Sequence, residues 1–256
     1  MNKEKKSGGK RKKSVIIIPV IIAIVVIAMI LLQLPQLLFA FVTMKPLDTG
    51  EVRQNIYAVR DSYVNVYLYK SGDKYIAFDA GANAKAVSDA LDSLGIDKED
   101  VTAVFLTHTD GDHVMALTIF PGAEVIMSES NRIFIETQEG QARSKAFVDM
   151  DREYSTLNNG MAYTTAAGIE IKCIYTPGHT PGSVSYIVDG KYLFTGDNLR
   201  LKDGRVELFY DVFNMDNETQ QKSLALLSGI DDNIEAIFTM HNGYSTDFKT
   251  AFEKWQ

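Results

Sequence analysis

The sequence predicts a layered α/β domain, with two sheets packed between helices, that follows a single membrane-spanning helix. Three observations support this fold class. The chain has 256 residues, 46% of them hydrophobic and 23% charged, which suits one sizeable globular domain plus a short appendage. An unbroken apolar stretch lies near the N-terminus. Beyond it, strand-like apolar runs alternate with segments of helical periodicity.

The N-terminal segment predicts a membrane anchor. Residues 1–14 form a basic tail, and residues 15–42 are mostly apolar, beginning with the unbroken run 15–32. At about 1.5 Å per residue, this helix is long enough for a hydrocarbon core of roughly 30 Å. The basic flank predicts a cytoplasmic N-terminus, with the following domain outside the cell membrane. A secretory signal peptide is the alternative, but its apolar region is usually about 7–15 residues long and ends at a small-residue cleavage site.

The charge distribution separates the tail from the domain. The formal net charge of the chain is −7, whereas its first thirteen residues carry seven basic side chains and one acidic one. The rest of the chain is therefore strongly acidic, and we expect no nucleic acid partner, because an acidic surface repels polyanions. Residues 43–50 (TMKPLDTG) form a predicted linker, and residues 51–256 form one continuous domain.

The elements of the domain follow from hydrophobic periodicity. Strands are predicted at 63–69, 75–79, 101–107, 123–127, 169–176, 183–188, 192–195 and 236–240. One amphipathic helix covers 84–94, and another begins near Asp216 or Asn217 and ends before Gly229. Residues 128–165 predict one or two helices with a polar connection, in a position suited to a lid or a substrate-contacting loop.

Cys173 is the only cysteine, so no internal disulfide is expected. It alternates with Ile171 and Tyr175 along one face of a predicted strand. This pattern predicts a buried thiol with a structural role.

The candidate site begins with the four histidines, each of which closes a strand-like run or lies in the turn beyond one. After the strand at 101–107 the chain reads His108-Thr-Asp110-Gly-Asp112-His113, four potential metal ligands within six residues. In an extended backbone, residues two apart share a face, so His108 and Asp110 can bind one ion. The turn that follows directs Asp112 and His113 to another ion.

This segment resembles the His-x-His-x-Asp-His motif of the metallo-β-lactamase fold superfamily, with Asp110 in place of the second histidine. Four further motifs follow the family order: Phe78-Asp79-Ala-Gly81, Thr176-Pro-Gly-His179-Thr-Pro-Gly-Ser183, Thr195-Gly-Asp197, and His241 after a strand. The set is similar to that of glyoxalase II-like members and covers roughly residues 55–245. The resemblance implies a four-layer αββα sandwich.

The resemblance also implies a two-metal site with zinc as the default occupant. The first metal is assigned to His108, Asp110 and His179, the second to Asp112, His113 and His241, and Asp197 to both as a bridging carboxylate. A hydroxide held between two cations is the expected nucleophile, with Asp112 as the acceptor of its proton. Asp79 is expected to orient a ligand imidazole. Tyr244 follows His241 closely enough to be a candidate substrate contact, with simple packing as the alternative.

Asp110 changes the charge of this site. Two divalent ions, two carboxylates and a hydroxide carry a net charge of plus one, and a third carboxylate makes it zero. A less positive site is a weaker Lewis acid, which predicts a higher pKa for the bridging water. Carboxylates also favour harder ions, so iron or manganese is an alternative to zinc.

These observations predict a membrane-anchored, outward-facing hydrolase of a small ester, lactone, amide or phosphoester. Asp197 argues against a dedicated antibiotic hydrolase, because β-lactamases of this fold generally lack the bridging aspartate. Only fifteen residues follow His241, which leaves little room for the C-terminal glutathione-binding region of glyoxalase II. A non-catalytic metal-binding sensor or scaffold and a di-iron redox site are the alternatives. Chelator-sensitive turnover would exclude a sensor, and visible absorption from bound iron would indicate a redox site.

Overall fold

The computed structural model describes residues 11–230 and 233–256, so residues 1–10 of the predicted basic tail lie outside the described residues. The helices are α1 (Arg11–Thr43), α2 (Ala84–Leu94), α3 (Gly111–Val114), α4 (Glu129–Ile135), α5 (Gln138–Arg143), α6 (Lys145–Val148), α7 (Asn217–Ser228) and α8 (Phe248–Phe252). The strands are β1 (Gly50–Arg53), β2 (Ile56–Asp61), β3 (Val64–Ser71), β4 (Lys74–Phe78), β5 (Val101–Phe105), β6 (Glu124–Ser128), β7 (Ser155–Leu157), β8 (Ala162–Thr164), β9 (Glu170–Tyr175), β10 (Val184–Val188), β11 (Tyr192–Phe194), β12 (Arg200–Lys202), β13 (Arg205–Glu207), β14 (Ala236–Thr239) and β15 (Gly243–Ser245).

The chain divides into two compact units, and the first ends at Thr43. It contains α1, whose stretch Ile21–Thr43 has a mean hydropathy of 2.6 and is long and apolar enough to cross a membrane. A signal sequence near the N-terminus passes the same test of length and composition. The membrane anchor predicted at 15–42 therefore stays a prediction.

The second unit, Met44–Gln256, contains two mixed sheets. The first sheet has the order β1-β2-β3-β4-β5-β6-β7, and the second has the order β15-β14-β11-β10-β9-β8. Strands β4 to β7 pair in parallel, as do β11 and β14, and the remaining pairs are antiparallel. Parallel neighbours need crossover connections, which is why helices lie between these strands in the chain.

Three apolar clusters define four layers. Between the sheets, Phe78 of β4 stacks on Phe194 of β11 with ring centroids 4.0 Å apart. On the outer face of the first sheet, α2 buries Val87 and Leu91. On the outer face of the second sheet, α7 and α8 bury a third cluster that includes Phe252. The layers are therefore helix, sheet, sheet and helix, as predicted.

Local sequence explains where the longer helices begin and end. The α2 helix stops at Gly95, which adopts a left-handed conformation with φ of 68° and donates its amide to Asp92. The α7 helix follows Asp216, whose carboxylate accepts the amide of Thr219. Both ends agree with the sequence prediction. Cys173 is fully buried between the sheets, which confirms its predicted burial.

Candidate metal centre

The candidate site lies at the carboxyl ends of parallel strands from both sheets. In the first sheet, Asp79 follows β4, and His108 lies three residues beyond the end of β5. In the second sheet, Asp197 lies in the turn after β11 and His241 follows β14. Because β4 pairs in parallel with β5, and β11 with β14, their carboxyl ends meet at a common edge.

The remaining residues come from loops at the same edge. Asp110 precedes α3, and the first turn of that short helix presents Asp112 and His113. His179 lies in the loop between β9 and β10, next to Gly178. All seven side chains predicted as metal ligands therefore lie together, although they span more than 130 positions of the chain.

One group of donors corresponds to the predicted first metal. Oδ2 of Asp110 lies 3.2 Å from Nε2 of His179 and 3.7 Å from Nε2 of His108. Oδ2 of Asp197 lies 3.6 Å from Nε2 of His179 and 4.0 Å from Nε2 of His108. These donor-to-donor separations suit four ligands around one cation.

A second group adjoins the first. Oδ2 of Asp112 lies 3.5 Å from Nε2 of His241, and Oδ1 of Asp112 lies 3.8 Å from Nε2 of His113. The two oxygens of Asp197 lie 3.2 Å from Nε2 of His241 and 3.5 Å from Nε2 of His113. Asp197 therefore lies between the two groups, where a bridging carboxylate would be.

Each imidazole is oriented through its Nδ1 atom. Nδ1 of His108 contacts Oγ1 of Thr107 at 3.0 Å, Nδ1 of His113 contacts Oδ2 of Asp79 at 2.8 Å, Nδ1 of His179 contacts Oδ1 of Asn214 at 3.1 Å, and Nδ1 of His241 contacts the carbonyl oxygen of Tyr63 at 2.8 Å. The Thr107 hydroxyl donates to Asp79, so it accepts from His108. Every partner is thus an acceptor, so each imidazole in its neutral form would carry its proton on Nδ1 and present the Nε2 lone pair to the cluster.

The donor set fits divalent cations. Among the described residues, Nε2 of His108, Nε2 of His113 and Oδ1 of Asp197 are buried atoms without a hydrogen-bond partner. A buried polar atom without a partner costs free energy, so three in one cluster call for a ligand. Imidazole nitrogens combined with carboxylate oxygens bind zinc and other divalent transition metals.

The electrostatics of the cluster agree with this fit. Burial favours a protonated Asp197, but the neighbouring His241 and His113 outweigh it and hold the pKa of Asp197 well below its usual range. Burial and then the nearby His113 lower the pKa of His108 well below its usual value. Burial alone would lower the pKa values of His113 and His241, but the Asp197 carboxylate and its acidic neighbours raise both. Metal binding at these two imidazoles would therefore displace protons that the acidic cluster holds.

Arg143 is a site residue that the sequence did not indicate. It ends α5, within the segment predicted to contact substrate, and its Nε and Nη2 atoms lie 2.7 and 2.5 Å from the two oxygens of Asp110. Burial alone would raise the pKa of Asp110, but the His179 hydrogen bond, the charges of His108 and His179, and the Arg143 hydrogen bond lower it well below its usual range. Only the chain position of Arg143 within 128–165 pointed to it.

Other aromatic side chains surround the cluster. The Tyr63 ring lies parallel to His241 with centroids 5.8 Å apart, and Phe209 lies 5.2 Å from His179. The Tyr244 ring instead stacks on Phe238 at 5.5 Å. The structure therefore gives Tyr244 a packing contact, and its role in substrate binding stays a prediction.

Comparison with known proteins gives consistent matches. A family model described as the metallo-beta-lactamase superfamily matches residues 59–241. A probable polyketide biosynthesis zinc-dependent hydrolase of Bacillus velezensis is 28% identical over 153 residues, which is 59% of this chain and 62% of that protein. A probable metallo-hydrolase of Bacillus subtilis is 26% identical over 141 residues, or 53% of this chain and 65% of that protein. The chain thus spans less than two thirds of the length of these relatives.

Solved structures share the fold. A metallo-beta-lactamase family protein from Thermus thermophilus matches with a TM-score of 0.59 and 22% identity, over 79% of this chain and 78% of that one. A subclass B3 metallo-beta-lactamase of Bradyrhizobium japonicum matches with a TM-score of 0.56 and 20% identity, over 78% of this chain and 80% of that one. These likenesses confirm the predicted fold.

Proposed function

Because the chain belongs to the metallo-beta-lactamase superfamily, we propose that it is a membrane-anchored, metal-dependent hydrolase of a small ester, lactone, amide or phosphoester. The observation that carries this proposal is the convergence of four Nε2 atoms and three carboxylates. Three atoms of this cluster are buried and lack a hydrogen-bond partner among the described residues. Buried polar atoms without partners do not stabilise a fold, whereas a two-metal hydrolase uses such nitrogen and oxygen atoms as metal ligands.

We assign the residues as the sequence predicted. His108, Asp110 and His179 would hold one ion, Asp112, His113 and His241 the other, and Asp197 both. Two bound divalent ions would supply a water nucleophile at neutral pH and polarise the substrate oxygen. Zinc is the expected metal, and iron or manganese is the alternative that the third carboxylate favours.

The chain's own groups then have separate tasks. Asp110 and Asp112 have side chains 18% and 23% exposed, whereas the other ligands are at most 5% exposed, so substrate would enter beside these two carboxylates. Asp112 would accept the proton that the attacking water loses, because it lies at the open side of the cluster. Asp79 would hold His113 in one orientation through the Nδ1 contact.

Arg143 amends the charge argument drawn from Asp110 alone. The guanidinium forms an ion pair with Asp110, so the third carboxylate is already compensated. Two divalent ions, three carboxylates, a hydroxide and the guanidinium would together carry a net charge of plus one. A site with a histidine in place of Asp110 and no guanidinium would carry the same charge. With Arg143 in place, the charge of the site gives no reason for a raised pKa of a bridging water.

The hydrolase proposal is tested by turnover of the full chain in detergent micelles. We expect a 4-nitrophenyl ester, a lactone or bis(4-nitrophenyl) phosphate to be hydrolysed, and EDTA to abolish the activity. Asp112→Asn should lower kcat by roughly 100-fold or more, through loss of the proton acceptor and of a predicted metal ligand. Asp149→Asn, at an exposed ion pair with Lys145, is the matched control. Full metal occupancy with no turnover of any probe would favour a sensor instead.

The membrane anchor needs a separate test. The apolar stretch Ile21–Thr43 and the basic residues that precede it support an outward-facing domain. We expect the intact chain to remain in the membrane fraction after alkaline extraction, with an epitope tag added after Gln256 accessible on intact cells. A tag that is reached only after permeabilisation, or a secreted chain that lacks the apolar helix, would contradict the anchor.

A further inference from the structure

Arg143 makes four polar contacts at the first metal group. Its Nε and Nη2 atoms donate to the two oxygens of Asp110 at 2.7 and 2.5 Å. The same Nη2 atom lies 3.2 Å from Nε2 of His179 and donates to the carbonyl oxygen of Phe213 at 2.9 Å. The side chain is only 24% exposed, so the guanidinium is fixed at this position by several acceptors.

These contacts use the lone pairs that a first metal would need. Nδ1 of His179 faces the acceptor oxygen of Asn214, so the neutral imidazole that donates there would carry its lone pair on Nε2. Arg143 contacts that Nε2 atom and the carboxylate of Asp110. Both groups are predicted ligands of the first metal. A guanidinium and a divalent ion therefore compete for the same atoms and repel each other.

The second group differs in this respect. Within residues 11–230 and 233–256, the ion pairs of Asp112 are with His113 and His241, and neither is a permanent cation. The two groups share Asp197, so they differ in charge through Arg143 beside Asp110 in the first group and through Asp79 beside His113 in the second.

We propose that Arg143 is a positioning residue that weakens the first metal site and so sets the order of loading, with the second site filled before the first. The inference rests on the proposed function, because it assumes that these residues hold metal. The pairing with Arg143 also explains why an aspartate can replace the family's histidine at position 110. A carboxylate paired with a fixed cation carries about the same net charge as a neutral histidine, but the cation remains as a competitor for the first ion.

The test is a titration of the full chain in detergent micelles with Co²⁺ alone. Chelator-treated protein is titrated while visible absorption is followed, and bound metal is counted after equilibrium dialysis. We expect two binding steps in the wild type, separated by about tenfold or more in Kd, since nearby charges strongly alter cation affinity. Arg143→Met should tighten the weaker step by about tenfold or more and leave the tighter step within about threefold.

The matched control is Arg132→Met. Arg132 lies on α4 and pairs with Glu129 and Glu136, so its loss removes an arginine with carboxylate partners outside the metal cluster. Both binding steps should match the wild type. Two equally tight steps in the wild type, or a weaker step that Arg143→Met leaves unchanged or weakens further, would overturn the proposal.

A second variant covers the case in which Arg143→Met fails to fold, which far-ultraviolet circular dichroism would reveal. Asp110→His installs the family-typical ligand but leaves Arg143 without its carboxylate. We expect this change to weaken the first site, and the pair Asp110→His with Arg143→Met to restore it. A tighter first site in Asp110→His alone would contradict the competition. Since no substrate enters these titrations, absent turnover would defeat the proposed function without deciding this inference.

Discussion

At the scale of single residues, the cluster depends on acceptors that fix each imidazole. Asp79 is the most constrained of these acceptors. It is fully buried, adopts a left-handed backbone conformation with φ of 58°, and accepts from the amide and hydroxyl of Thr107 as well as from His113. A residue that satisfies three donors at once positions both the loop after β5 and a predicted ligand.

Asp79→Asn tests that role. Asparagine tolerates the left-handed conformation, but its amide group cannot replace both carboxylate oxygens as acceptors. We expect metal affinity of the second site to fall by roughly 10-fold to 100-fold while the fold is retained. Asp203→Asn is the control, because Asp203 has a similar φ of 52° in an exposed turn. Equal metal binding by both variants in the Co²⁺ titration would contradict the role.

Cys173 provides a prediction that depends on pH. Burial raises the pKa of its thiol from 9.0 to about 12. Between these values the native thiol keeps a proton that the unfolded thiol has lost, so stability should fall as pH rises through this window. We expect iodoacetamide to leave the native protein unlabelled at pH 8 and to label it after unfolding in urea. Rapid labelling of the native protein would contradict the burial of the thiol.

Some site residues could be read from the sequence and others could not. His108, Asp112 and His113 lie in one local motif, so spacing alone brought them together. Arg143 contacts Asp110 across 33 positions of the chain. Such a contact leaves no local pattern, because it depends on how α5 packs over the strand ends.

At the scale of elements, the site depends on close approaches between loops and helices. Gly178 precedes His179 and has a φ of 140°, a backbone region that favours glycine. A Cβ atom built on Gly178 would lie 2.4 Å from the backbone of Gln220 on α7. The loop that carries His179 therefore packs directly against this helix.

Gly178→Ala should displace that loop. An alanine at this position would suffer both the backbone strain and the clash with Gln220. We expect destabilisation of several kcal/mol together with loss of one bound metal. Gly190→Ala is the control, because Gly190 has a φ of 65° and no atom within 4 Å of an added Cβ. Thermal melts and metal content would separate the two effects. A Gly178→Ala protein that matches Gly190→Ala in both would show that the contact is not required.

Element prediction succeeded where periodicity was long. The helix at 84–94 and the strands at 101–107 and 183–188 agree with the structure to within two residues. The segment 128–165 contains three short helices and the strands β7 and β8, instead of one or two helices. Elements of three to seven residues hold too few periods for an apolar pattern to be recognised.

At the scale of the whole molecule, residues from the predicted linker belong to the unit that carries the site. The amide of Lys45 donates to the carbonyl oxygen of His241 at 2.7 Å. The amide and carbonyl of Leu47 pair with the side chain of Asn65 at 2.7 and 2.9 Å. This short segment therefore braces the turn that presents a predicted metal ligand.

Asn65→Ala should release that segment. The variant leaves the amide and carbonyl of Leu47 without partners, a loss of roughly 1–3 kcal/mol. We expect a lower Tm and faster hydrogen exchange in peptides that cover residues 44–49. Asn159→Ala removes a comparable side-chain bond, to the amide of Tyr175, at an exposed position and serves as control. Unchanged exchange at 44–49 would contradict the bracing role.

The family and the fold followed from five motifs in order, whereas the substrate did not. Ligand residues must match the geometry of a metal ion, so they leave a recognisable pattern. Substrate contacts on loops such as 128–165 follow no such constraint. For the same reason Tyr244 could be proposed from its position in the chain but not assigned.

The central claim is that seven side chains form two adjoining sites for divalent ions. The most direct test is the metal content of the full chain after equilibrium dialysis against excess Zn²⁺. We expect about two ions per wild-type chain, as the two donor groups require, and about one in His179→Ala and in His241→Ala. Tyr244→Phe should retain both ions. Less than one ion in the wild type, or two in either histidine variant, would contradict the claim.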